Sequence, residues 1–103
     1  MENVTDDNIT DIINQECYIL FYFTASWWGP CQQIKPLIMK LYEGRDSPNI
    51  KFYIVDIDNN DKLCEQCNVT SVPTFILFKD RQSEGVTQGA DIVSVAELIK
   101  PYC

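Results

Sequence analysis

The chain has 103 residues, the size of a single domain, and its 46% hydrophobic content is that of a globular protein. With 15 Asp and Glu against 8 Lys and Arg it carries a net charge of −7, which argues against nucleic acid and against anionic membrane surfaces as partners. It has no histidine, which excludes His metal ligands and Ser-His or Cys-His catalytic pairs.

The opening MENVTDDNIT lacks the basic start and apolar stretch of a secretory signal, so a cytoplasmic protein is expected. Ile9, Ile12 and Ile13, spaced i, i+3, i+4, predict a short helix over residues 6–15, with Asp6 and Asp7 at its positive end. Residues 17–24 (CYILFYFT) are a continuous apolar and aromatic run of strand length, as expected of a strand buried on both faces. No run approaches the ~18–20 residues of a membrane helix. Residues 25–30 break the pattern. Beyond them Ile34, Leu37, Ile38 and Leu41 form one apolar stripe, predicting a helix from Cys31 to about Glu43, with Pro36 as an internal kink and Gly44 as the stop.

After a loop over 44–49, residues 50–56 (IKFYIVD) predict a second buried strand, 59–67 a short helix and 74–79 (TFILFK) a third strand. Residues 80–85 read as a turn and 86–88 as a fourth strand closing a hairpin. Ser94 and Glu97 form an S-x-x-E capping box at the start of a last helix carrying Val95, Leu98 and Ile99. Strands alternating with helices predict one α/β domain over residues 1–103, a central mixed sheet flanked by helices on both faces.

There are five cysteines: Cys17, Cys31, Cys64, Cys67 and Cys103. The odd count without an export signal argues against a disulfide framework. Cys64 and Cys67 spell C-x-x-C. A zinc site needs four ligands, and neither a histidine nor a second such pair is present, so no metal is expected. As a redox pair they are poorly placed, since the dipole near a helix end raises a thiol pKa. Core packing is the expectation for them, with a secondary thiol pair or disulfide as the alternative. Cys17 is expected in the core, and Cys103 on a mobile terminus.

Between the first long strand and the second helix the sequence reads Ala25-Ser26-Trp27-Trp28-Gly29-Pro30-Cys31. This stretch resembles W-C-G-P-C of the thioredoxin family. The resemblance covers nearly the whole chain: Phe23, Ala25 and Pro36 match, Val55-Asp56-Ile57-Asp58 is similar to the family's V-D-x-D, Val72-Pro73-Thr74 to its cis-proline loop, and Gly89-Ala90 to the G-A before the last helix. It implies a thioredoxin-like fold. It also implies that Trp28 replaces the nucleophilic cysteine, while Cys31 stands at the resolving position. Where thioredoxins often carry a buried Asp and a nearby Lys, this chain has Tyr22 and Ile54.

The function implied is that of a family of thiol–disulfide exchange and redox homeostasis with a degenerate site. The expected protein is a redox-impaired binding module that retains the lone thiol of Cys31. Its client would be a protein or extended peptide, held by Trp27, Trp28, Gly29, Pro30, Val72 and Pro73, with strand pairing to the Val72 backbone. Trp28 then grips the client or, alternatively, folds over Cys31 as a lid. Two further readings keep the same fold: a working protein-disulfide oxidoreductase, with Trp28 an atypical or engineered substitution and a thioredoxin reductase as partner, or a structural subunit of a larger assembly. No cofactor is implied.

Overall fold

The computed structural model describes residues 1–46 and 49–102. The expectation for Cys103 falls outside the described residues, as does part of the 44–49 loop. In chain order the elements are β1 (Glu2–Asn3), α1 (Ile9–Ile13), β2 (Tyr18–Thr24), α2 (Gly29–Glu43), β3 (Ile50–Asp56), α3 (Asp61–Gln66), β4 (Thr74–Lys79), β5 (Gln82–Gln88) and α4 (Ile92–Ile99), followed by a 3-10 turn over Lys100–Tyr102.

The strands form one mixed sheet in the order β1-β3-β2-β4-β5. The central strand β2 runs parallel to β3, from Tyr18 opposite Ile50 to Thr24 opposite Asp56. It runs antiparallel to β4, from Ile19 opposite Phe78 to Phe23 opposite Thr74. Side chains alternate across a strand, so β2 feeds two cores. Leu20 and Tyr22 join Ile34 and Ile38 of α2 and Val95 and Ile99 of α4 on one face. Ile19, Phe21 and Phe23 join Val4 and Ile12 on the other, where Leu63 of α3 also packs. Each fully buried Leu, Ile or Phe contributes roughly 1.5–3 kcal/mol, which is why the buried stretch 19–23 of β2 is aliphatic and aromatic throughout.

The sheet has five strands where the sequence pattern showed four. The addition, β1, is two residues long and pairs Glu2 with Tyr53 and Asn3 with Ile54, with no periodicity to betray it. The hairpin also differs from expectation. Its loop is Asp80-Arg81 alone, both at positive φ (53° and 65°), the conformation a two-residue hairpin loop demands. Strand β5 starts at Gln82 because an edge strand needs backbone pairing more than apolar side chains, and its first three residues are exposed.

The capping box is corrected as well. The N-cap of α4 is Asp91, whose side chain accepts from the Val93 N–H at 3.0 Å and from the Ser94 hydroxyl at 3.0 Å. Helix α1 is shorter than its apolar spacing suggested. Ahead of it Thr5 and Asn8 exchange bonds, each backbone N–H donating to the other's side chain (2.7 and 3.3 Å), which holds residues 5–8 as a turn. Helix α2 begins at Gly29, two residues before Cys31, and continues through Pro36. Gly44 caps it as expected, but at φ −87°, without a left-handed conformation.

Candidate functional site

One end of the sheet gathers four loops. Thr24 lies opposite Asp56, Phe23 opposite Thr74, and Thr74 opposite Gln88. Residues 25–28, 57–58, 72–73 and 89–91 therefore leave the sheet side by side. The Gly89 N–H donates to the Pro73 carbonyl at 2.9 Å, and Gly89 holds φ +98°, a conformation that glycine adopts without the usual side-chain clash.

In the first loop Trp28 is the extended N-cap residue of α2, its carbonyl accepting from the Gln32 N–H at 3.1 Å. Pro30 sits in the helix's first turn, where its missing N–H has no helical partner to lose. The Gln32 side chain donates to the Ser26 carbonyl at 2.8 Å and closes the loop on the helix. The indole N–H of Trp27 donates to Asp58 Oδ2 at 3.0 Å, and the Trp27 and Trp28 rings meet edge to face at 6.2 Å. Trp27 is 64% and Trp28 44% exposed, whereas Cys31 is 2% exposed. The Val72–Pro73 bond is cis, with Pro73 buried and Val72 half-buried.

Cys31 lines a cavity of about 330 Å³ together with Tyr22, Thr24, Lys35, Ile54 and Asp56. Tyr22 is fully buried and stacked on Phe75 at 5.0 Å. Its hydroxyl donates to the Cys31 carbonyl at 3.2 Å and accepts from Thr24 Oγ1 at 3.3 Å. Burial pushes the phenol's pKa up, the Thr24 bond partly offsets this, and negative charge at Cys31 pushes it up further. At neutral pH Tyr22 is thus a protonated tie between β2 and α2, with its proton already committed. Ile54 offers no charge at all. Sequence reasoning gave no role to Thr24, Lys35 or Asp56, because they meet only through strand register and the α2 crossover. For Asp56 and Asp58 the V-D-I-D run was the available signal.

The structure does not bring Cys64 and Cys67 into this cavity. Cys64 lies on α3 and Cys67 caps it, both packed against the second core. They are free, partly buried thiols, as is Cys17. Burial first, then the Asp61 and Asp56 carboxylates, push Cys64 up, and burial followed by its neighbour Cys64 pushes Cys67 up. Both are therefore held protonated at neutral pH, which lowers the share of reactive thiolate below that of an ordinary thiol. Alkylation by iodoacetamide, read site by site by mass spectrometry, is expected to be several-fold slower than that of glutathione near neutral pH and to accelerate in alkali. Equal rates near neutrality would refute this. Since the folded state favours the neutral thiols, their contribution to stability is complete below the ordinary thiol range. It is lost as pH rises through the raised folded values.

Among the described residues no group of three or more Cys, Asp or Glu side chains is placed to hold a metal ion, and no helix is long and apolar enough to cross a membrane.

Comparison with known proteins agrees with this geometry. The thioredoxin family model matches residues 1–100. Mitochondrial thioredoxin-3 of Saccharomyces cerevisiae is 32% identical over 100 residues, spanning 97% of this chain and 76% of that protein. The crystal structure of Fasciola hepatica thioredoxin superposes with a TM-score of 0.89 at 29% identity, covering 100% of both chains. A chain from the structural study of thiol resolution in yeast mitochondrial 1-Cys peroxiredoxin by the glutathione and thioredoxin systems gives 0.88 at 29%, covering 98% of this chain and 94% of its own. Fold, motif position and relatives thus agree that this chain belongs to the thioredoxin family of thiol–disulfide redox proteins.

Proposed function

We propose that the protein is a thioredoxin-family module that binds extended protein segments and has lost dithiol disulfide exchange. One observation carries this reading. The N-cap of α2, where an attacking sulfur would stand, holds a 44% exposed indole, while Cys31 is 2% exposed. Exchange requires a thiolate in contact with the client's disulfide, and neither residue provides it. Recognition needs less: an apolar surface and a free stretch of backbone. Trp27, Trp28, Gly29 and Pro30 provide the surface. The loop at Val72 and Pro73 provides backbone for strand addition. The edge-to-face contact of Trp28 with Trp27 and its exposure favour a gripping ring over a lid on Cys31.

The test is Trp28→Ala, with reduced and alkylated insulin B chain as the extended client. Losing an indole buried on binding is worth ~1.5–3 kcal/mol, so affinity is expected to fall roughly 10-fold to 100-fold. Folding stability should change by less than about 1 kcal/mol, as for an ordinary surface substitution. If the variant instead loses several kcal/mol of stability and still binds the peptide, Trp28 is a lid and the reading is wrong.

A further inference from the structure

Trp27 presents the most exposed aromatic ring among the large apolar residues of the described chain, and it does so beside a carboxylate. Its N–H occupies Asp58 Oδ2 at 3.0 Å. Asp58 is exposed, and a carboxylate accepts at about four lone-pair positions, so the indole uses only part of its capacity. An indole face attracts a cation more strongly than any other aromatic side chain, and a carboxylate accepts strong, charge-assisted hydrogen bonds from it. The two side by side make a receptor for a guanidinium or ammonium group.

The surroundings favour the same sign of charge. Asp91 caps α4 two residues beyond Gly89, which is bonded to Pro73, and Asp56 lines the same cavity as Cys31, where Lys35 is the opposing cation. The net charge of −7 adds a long-range attraction for basic segments.

We propose that Trp27 and Asp58 form a subsite for an arginine or lysine side chain of the extended client, next to the strand-pairing backbone at Val72. The proposal rests on the peptide-binding reading above and adds a selectivity to it: basic segments over neutral and acidic ones. Arginine is the better guest, because its planar fork can stack on the indole while donating to Asp58.

The experiment uses labelled Val- and Thr-rich host peptides carrying Arg, norleucine or Glu at each position in turn, with affinity read by fluorescence anisotropy. At the best position Arg is expected to bind about tenfold more tightly than norleucine, Glu more weakly than either, and the Arg advantage to shrink as salt rises. Asp58→Asn keeps an oxygen for the Trp27 N–H but removes the charge. It should bring the Arg-to-norleucine ratio close to one. Asp80→Asn makes the same charge change in the β4–β5 turn, at the far end of β4 from Thr74, and should leave the ratio intact. An unchanged ratio in Asp58→Asn, or norleucine binding as well as Arg in the parent protein, overturns the subsite and leaves the peptide-binding face standing. No binding by any host peptide overturns both.

Discussion

Given insulin as the disulfide substrate and dithiothreitol as the electron donor, the protein is expected to produce turbidity no faster than dithiothreitol alone. The first step of exchange is attack by a thiolate, and the position from which it is made holds Trp28. The remaining described thiols do not replace it. Cys31 is closed off, Cys17 precedes Tyr18 at the other end of β2 from the site, and Cys64 and Cys67 are pushed towards the protonated form, Cys64 by burial and the nearby Asp61 and Asp56, Cys67 by burial and Cys64. Enzymatic accelerations start at ~10⁶-fold, so loss of the nucleophile should leave the rate at least ~10³-fold below that of a dithiol thioredoxin run alongside. A rate near the control thioredoxin would refute the proposal. Substituting Cys31, Cys64 and Cys67 singly by Ser would then identify the sulfur responsible.

Trp28→Cys is expected to restore activity, though slowly. The introduced thiol would occupy the N-cap of a 15-residue helix, where the helix dipole stabilises a thiolate. Gly29 and Pro30 already form the turn, Cys31 already lies three residues on, and the cis Val72–Pro73 bond already faces the same sheet end. What is missing is the buried Asp and nearby Lys that the resemblance led to expect for handling the second thiol's proton, replaced here by Tyr22 and Ile54. Tyr22 donates its own proton to the Cys31 carbonyl and is held neutral by burial, and Ile54 has none to give. A general acid or base contributes ~10²–10⁴-fold, so the variant should turn over measurably above the dithiothreitol control and by about that factor below an efficient relative. A folded variant with no activity would mean that the site has diverged beyond residue 28.

The elements buried on both faces were legible because their residues leave no alternative. Residues 19–23 are all core, and the bounds expected for β3 and β4 match those observed. Elements stabilised by backbone pairing rather than burial were not. The polar start of β5 and the two residues of β1 carry no pattern, and Asp91 takes the place of Ser94 as the cap because the helix begins three residues earlier. The site divides the same way. The stretch from Trp27 to Cys31 is local and readable. The contact of Trp27 with Asp58 spans 31 positions and depends on Thr24 lying opposite Asp56, which no local pattern specifies.

The position of β2 has a consequence for how the molecule comes into being. Leu20 finishes between Phe52 and Leu77. Both neighbours are made after it, so as the chain leaves the ribosome its most apolar segment emerges with no strand to pair with. Local helices form early, but a sheet built from long-range pairs must wait for its loops to close. Until β4 has emerged, β2 keeps a bare edge on a β-prone, uncharged stretch, the kind that joins to other chains. The strand best protected in the finished protein is thus the segment most in need of shielding during synthesis. That need ends only when Thr74–Lys79 is free to dock along its second edge.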